Sequence, residues 1–326
     1  MPTPVSIGID IGGTQLRAAV VAADGSLHHR TAQSTPAGDA TLLVATLREV
    51  IGELGDDLPV GIGIAGLVSP SGVVRYGPNI GVRDLPLAAE LADATSGPVV
   101  VINDASAAAF GEQQAGAAIG RRDMLLFTLG TGVGGGIVVD ERLLVGSRGF
   151  AGELGHIVVD EGGRRCPCGS RGCIEAYASG TAITLLARER LVDPTQATVL
   201  RDHAALTGPL VTQAARQGDA FAADVLREVG HWLGVAIASM VNALDPEIVL
   251  LGGGAAAATA DWVLPEARSV GQAHLVGGRW RSLPPIELAA LGDDAGMIGA
   301  GLHAVGARSD GGHAALPGPA GAQVSG

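Results

Sequence analysis

Val5-Ser-Ile-Gly-Ile-Asp10-Ile-Gly-Gly-Thr14-Gln-Leu-Arg-Ala-Ala-Val-Val-Ala22 reads as two short strands joined by a glycine turn. Val5 to Ile11 is an apolar run with β-branched residues, and Leu16 to Ala22 is a second. Asp24-Gly25 is a hairpin signal that leads into a third strand near Leu27 to Gln33. The pattern restarts at Met124 to Leu129, with the glycine run Gly130-Thr-Gly-Val-Gly-Gly-Gly136 and a strand from Ile137 to Val139. An acidic turn at Asp140-Glu141 follows, and the chain returns over Leu143 to Val145. The repeated unit points to an internal duplication of two α/β halves.

Between and after these hairpins the spacing alternates between helix and strand. Ala40 to Leu54 carries helical apolar spacing at Leu43, Leu47, Val50 and Leu54. Val60 to Ala65 reads as a strand, Asp84 to Thr95 as a helix, and Pro98 to Ile102 as a strand entering Asn103-Asp104. An alanine-rich helix follows to about Ala118. From Gly180 to Leu244 the pattern is mainly helical. Glu247 to Leu251 and Ile286 to Ala289 are strands, Ala295 to Val305 is a last helix, and the Gly-, Ala- and Pro-rich end from 309 to 326 is expected to be a flexible tail. The expected division is a small α/β domain from 1–110 plus 294–308 and a large α/β domain over 111–293.

Composition narrows the function classes. The chain has 326 residues, 47% hydrophobic and 17% charged, enough for two domains with a large core. Its 21 basic residues against 33 acidic ones give a net charge of −12, which argues against nucleic acid as a partner. All the basic residues are arginine, so a Walker P-loop and Schiff-base chemistry are both excluded. No apolar run is long enough to span a membrane; the best, Trp232 to Leu244, is interrupted by Gly234, Ser239 and Asn242. The start lacks a secretory pattern, so a cytoplasmic location is expected. Three cysteines within eight residues favour metal binding over disulfides.

Four segments carry chemistry. In Asp10-Ile-Gly12-Gly13-Thr14 a strand delivers a carboxylate to a turn whose glycines let backbone N–H groups approach an anion. A carboxylate beside such a nest suits Mg²⁺ bridging it to phosphate; an ordinary hairpin is the bland alternative. Gly130-Thr131-Gly132 repeats the device, and Gly252-Gly253-Gly254 is a third glycine turn suited to adenosine. Asp104 stands at a strand end that opens a helix, where it is either an N-cap or a general base, with Asn103 beside it to bind a hydroxyl. His156, Cys166, Cys168 and Cys173 supply the ligand types of a closed tetrahedral zinc site, bracketed by Glu153 and Glu175.

The order and spacing of these segments resemble the ROK family (repressors, open reading frames, kinases) from about Ser6 to Gly306. The segment Cys166-x-Cys168-Gly-x-x-Gly-Cys173-x-Glu175, after Glu153-x-x-His156, is the most specific part. Within the family the chain is most similar to actinobacterial-type glucokinases. The resemblance implies an actin-like ATPase fold of the hexokinase type, two α/β domains around a cleft, assembled as a dimer or tetramer. It implies Asp104 as catalytic base, and Gly66, Asn79, Asn103, Glu153, His156 and Glu175 as sugar contacts. Asp10, Gly12, Gly13, Thr14, Gly130, Thr131 and Gly132 would hold the phosphates of ATP with Mg²⁺, Gly252, Gly253 and Gly254 the adenosine, and the four Cys and His ligands a structural Zn²⁺. Many glucokinases of this group carry an aromatic residue shortly after the Pro-Asn, where this chain has Asn79-Ile-Gly-Val-Arg83. The family's repressors carry an N-terminal helix-turn-helix, for which a first strand beginning by Val5 leaves no room. The implied reaction is ATP-dependent phosphorylation of glucose at its 6-hydroxyl. Other hexoses, polyphosphate as donor, and a non-catalytic sugar sensor are the competing readings.

Overall fold

A computed structural model describes residues 3–309. The tail expected over 309–326 lies, from 310 onward, outside the described residues. The first hairpin forms as read: β1 (Pro4–Ile11) pairs antiparallel with β2 (Gln15–Ala22), and β2 with β3 (Leu27–Ser34). Helix α1 (Ala40–Leu54) follows, its N-cap Asp39 accepting a hydrogen bond from the Leu42 N–H at 2.9 Å. Its buried stripe of Leu43, Leu47, Val50 and Ile51 covers one face of the sheet. β4 (Val60–Ile64) joins β1 in parallel. A small sheet of β5 (Leu67–Val68), β6 (Val74–Gly77) and β7 (Val82–Leu85) comes next, then α2 (Leu87–Glu90) and the edge strand β8 (Val99–Asn103).

Helix α3 (Asp104–Ala115) leads into the second half. There β9 (Met124–Leu129), β10 (Val133–Val139) and β11 (Arg142–Leu143) repeat the antiparallel run. Four helices follow: α4 (Glu175–Ala178), α5 (Gly180–Arg190), α6 (Gly208–Arg216) and α7 (Ala220–Leu244). β12 (Ile248–Gly252), α8 (Gly254–Ala273), β13 (Ile286–Leu288) and α9 (Ala295–Ser309) complete the described chain.

The duplication is visible in the two sheets. Their orders are β3-β2-β1-β4-β8 and β11-β10-β9-β12-β13. In each, three antiparallel strands are extended by two parallel ones. The turns Gly12–Thr14 and Gly130–Gly132 therefore occupy equivalent corners. A large core around the second sheet includes the buried faces of α5, α6, α7 and α8; a second core lies between the first sheet and α1. Helix α9 returns to the first sheet and packs on β1, β4 and α3. Small residues permit that close approach: a Cβ on Gly8 would fall 2.0 Å from the Met297 carbonyl oxygen, and one on Gly61 1.8 Å from that of Ala300. Among the described residues no helix is long and apolar enough to cross a membrane.

Two segments differ from the sequence reading. The helix expected over Asp84–Thr95 is instead the end of β7, the four-residue α2 and turns. Pro86 fixes its own φ and lacks an N–H, and Asp84 sits at φ 47, so no helix runs through them. The glycine run Gly130–Gly136 is a turn only over its first part; Gly134, Gly135 and Gly136 belong to β10. These glycines serve packing, since a Cβ on Gly136 would lie 2.4 Å from the Ala109 Cβ of α3.

Candidate active site

The C-terminal ends of three adjacent parallel strands form one wall. In register, Asp10 of β1 stands opposite Gly63 of β4, and Ile64 of β4 opposite Asn103 of β8. Such an edge is where α/β sheets place ligands. Asn103, rather than Asp104, caps α3: its Oδ1 accepts from the Ser106 N–H at 2.9 Å, and its Nδ2 donates to the Gly66 carbonyl at 3.2 Å. Gly66 has φ 141, and a Cβ there would lie 2.2 Å from the Tyr76 carbonyl oxygen, so the backbone can pass only as glycine. Asp104 occupies the first turn of α3, where its Oδ1 accepts from the Ala105 N–H at 2.9 Å. Burial pushes the Asp104 carboxyl up to about 6, and the charges of Asp10 and Glu153 push in the same direction.

Asp10 meets a residue that motif reading passed over. Arg17, its register partner on β2, donates to Asp10 Oδ2 at 2.6 Å and lies 4.0 Å from Asp293. Burial raises the Asp10 carboxyl, and the Arg17 hydrogen bond and charge oppose that rise. A cation therefore does stand at the first turn of this lysine-free chain; the two-residue alternation of β2 and its pairing with β1 were the available signal. Asn79, exposed in the loop after β6, has its carbonyl oxygen 3.1 Å from where a Gly13 Cβ would sit, so that loop abuts the turn. Thr14 is exposed, and its carbonyl accepts from the Thr35 N–H at 3.1 Å.

The second turn is held from several directions. The Gly130 N–H donates to the Gly132 carbonyl at 3.0 Å, and the Gly180 N–H to that of Gly130 at 2.8 Å. The Thr181 hydroxyl donates to the Thr131 carbonyl at 2.8 Å. Glu175 Oε2 accepts from the Val133 N–H at 3.0 Å, and a Cβ on Gly132 would come within 2.3 Å of that oxygen. Next to this turn opens a cavity of about 600 Å³, within the usual range for small-molecule sites. Gly130 and Thr131 border it together with faces of α5, α6 and α8. Of the third glycine run only Gly254 lines it; Gly252 ends β12, and Gly253, at φ 86, packs on the Leu129 carbonyl. Gly180 and Thr181 were missed, although Ser179-Gly180-Thr181 is a capped helix start, with Ser179 Oγ accepting from the Ala182 N–H at 3.0 Å.

The cysteine segment closes into a cluster. The ligand atoms of His156, Cys166, Cys168 and Cys173 all lie within 4.8 Å of one another. His156 Nδ1 is 3.7 Å from Cys166 Sγ, and the Cys168 and Cys173 sulfurs are 3.7 Å apart. A tetrahedron with ~2.3 Å metal–sulfur bonds has edges of about 3.8 Å, so the donor set fits one metal ion of the zinc type. Burial raises the thiols of Cys166 and Cys173, an effect that a bound cation reverses. His156 Nε2, on the other side of the ring, lies 3.8 Å from Glu153 Oε2. Burial raises the Glu153 carboxyl, the His156 charge opposes this, and Glu175 adds to it. Glu175 Oε1 accepts from the Cys166 thiol at 3.7 Å, so one carboxylate spans the cluster and the second glycine turn.

The profile of the ROK family matches residues 6–305. The chain belongs to the ROK family. This ROK protein is 38% identical over 309 residues to a glucokinase of Halalkalibacterium halodurans, covering 90% of this chain and 93% of that one. It is 35% identical over 308 residues to an N-acetylmannosamine kinase of Yersinia pseudotuberculosis, covering 91% and 97%. Among solved structures it is similar to the ROK family glucokinase from Streptomyces griseus in complex with glucose and AMPPNP. That match has 38% identity and a TM-score of 0.77, and it covers 91% of this chain and 97% of that one. The fold is thus the actin-like one that the motifs implied.

Proposed function

We infer that the protein phosphorylates glucose at its 6-hydroxyl with ATP as donor, and that Asp104 is the base. The observation that carries this reading is the Asp104 carboxylate itself. Asn103 does the capping, while burial and two neighbouring carboxylates raise the proton affinity of Asp104. A group with a pKa of about 6 is ionised at neutral pH and still basic enough to take a hydroxyl proton.

Asn103, Glu153, His156, Glu175, Asn79 and the Gly66 backbone orient the sugar so that its 6-oxygen lies beside Asp104. As that oxygen attacks the γ-phosphorus in line, Asp104 accepts its proton, and ADP leaves. The N–H groups of Gly13, Thr14, Thr131 and Gly132 hold the phosphates, those of Gly12 and Gly130 being given to the Gln15 and Gly132 carbonyls, and the cavity bordered by α5, α6 and α8 takes the adenosine. Asp10 would hold Mg²⁺ close to the phosphates, and the metal would supply charge that offsets theirs. His156 Nδ1 and the sulfurs of Cys166, Cys168 and Cys173 would hold a structural Zn²⁺, which would leave His156 Nε2 for the sugar side. Two lobes, 1–110 with 294–308 and 111–293, close over the sugar and exclude competing water. The test is a coupled assay of ADP formation over glucose, N-acetylmannosamine, N-acetylglucosamine, mannose and fructose. Turnover selective for an N-acetyl sugar would replace glucose as the substrate.

A further inference from the structure

The cavity beside the second turn has an unusual charge pattern. The chain carries 33 acidic residues, yet none of the described residues lining this cavity is acidic or aromatic. Its two charged residues are Arg188 and Arg216. The helices that carry them begin side by side, since a Cβ on Gly208 would lie 3.0 Å from the Gly180 carbonyl oxygen. Arg188 follows Gly180 along α5 by the same interval that Arg216 follows Gly208 along α6. At ~1.5 Å per residue, each arginine stands about 12 Å along its helix from its glycine. The glycine end is tied to the phosphate turn through the Gly180 N–H and the Thr181 hydroxyl, so the arginine end is where the far part of a nucleotide would lie.

Both guanidinium groups are anchored. Arg188 Nη2 donates to the Leu206 carbonyl at 3.3 Å and Arg216 Nη2 to that of Ala258 at 2.9 Å. Leu185, a large apolar side chain that is 44% exposed, adds an apolar surface one turn before Arg188. An anchored guanidinium offers a flat cationic face that stacks on aromatic rings, which the ammonium of lysine cannot do. We propose that Arg188 and Arg216 bind the donor's base by stacking their guanidinium planes on the purine, in place of aromatic side chains. They would thereby make the protein selective for purine nucleotides over base-free phosphate donors.

This proposal rests on the reading of the cavity as the nucleotide site. It is tested with R188K, R188A, R216K and R216A in the full chain, after a melting curve confirms folding. The KM for ATP and for glucose is measured, together with calorimetric binding of ATP and of inorganic tripolyphosphate. The expected result is a KM for ATP about tenfold higher in the lysine and alanine variants alike. Tripolyphosphate binding and the KM for glucose should stay at wild-type values. Lysine variants with the wild-type KM for ATP, or tripolyphosphate binding that weakens in parallel with ATP, would make the arginines phosphate ligands and overturn the proposal. Wild-type protein that binds no ATP would overturn both the cavity reading and this proposal. ATP binding equal in all variants would overturn the proposal alone.

Discussion

Asn103 caps helix α3 in place of Asp104, accepting the Ser106 N–H at 2.9 Å, so the buried Asp104 carboxylate is not the helix cap. Asp104→Asn should therefore remove the proposed base without removing a cap. It should lower kcat at least ~10²-fold with little change in glucose affinity. Steady-state kinetics paired with a glucose titration checks this, and near-normal turnover would remove Asp104 from the mechanism.

The same carboxylate makes a prediction about pH. Its pKa is raised from 3.8 to about 6, so between these values the folded protein binds more protons at Asp104 than the unfolded chain does. Stability contributed at this site is present below the lower value and lost as pH rises through the upper one. Asp104→Asn should then melt at least ~2 °C above wild type at pH 7.5 and show no such gain at pH 4. The acid limb of kcat/KM in the wild type should fall near pH 6. A Tm difference that is the same at both pH values would contradict this assignment.

Contiguous motifs carried most of what was legible. Asp10–Thr14, Asn103-Asp104, Gly130–Gly132 and the cysteine segment each lie in one short stretch, where residue type and turn chemistry suffice. What stayed hidden depends on pairing across the chain. Arg17 is linked to Asp10 through strand register, and the cavity forms where faces of α5, α6 and α8 meet, which no single helical period reveals. Apolar spacing predicts a helix over Asp84–Thr95, but Pro86 interrupts the segment and leaves only the short α2. Conformational freedom alone makes Gly134–Gly136 read as turn, whereas in the fold their missing Cβ atoms make room for α3 and Leu154.

That distinction separates two glycine substitutions. A Cβ at Gly136 meets Ala109 Cβ at 2.4 Å and the Ala105 carbonyl oxygen at 2.9 Å, while one at Gly130 meets nothing within 4 Å. Gly136→Ala should lower the melting temperature by ~2–10 °C through overpacking. Gly130→Ala should melt like wild type but raise the KM for ATP, because the backbone can no longer approach phosphate as closely. Equal melting temperatures for the two would show that the packing at Gly136 yields.

His156 lies between the cysteine cluster and Glu153, with Nδ1 3.7 Å from Cys166 Sγ and Nε2 3.8 Å from Glu153 Oε2, and on the proposed reading it links a structural metal to the sugar. Cys168→Ala should lower zinc content and weaken glucose binding by at least about tenfold, while nucleotide binding holds. Metal analysis and separate calorimetric titrations of sugar and nucleotide read this out. Wild-type glucose affinity in zinc-free protein would place the cluster outside the sugar site.

The central claim is transfer of the γ-phosphate of ATP to the 6-hydroxyl of glucose. The direct measurement incubates purified protein with ATP, Mg²⁺ and glucose and identifies the sugar product by phosphorus NMR. Glucose 6-phosphate formed in step with ADP, and abolished in Asp104→Asn, is the predicted result. ATP and glucose both bound but no phosphorylated sugar formed would contradict the account and leave a sugar sensor in its place.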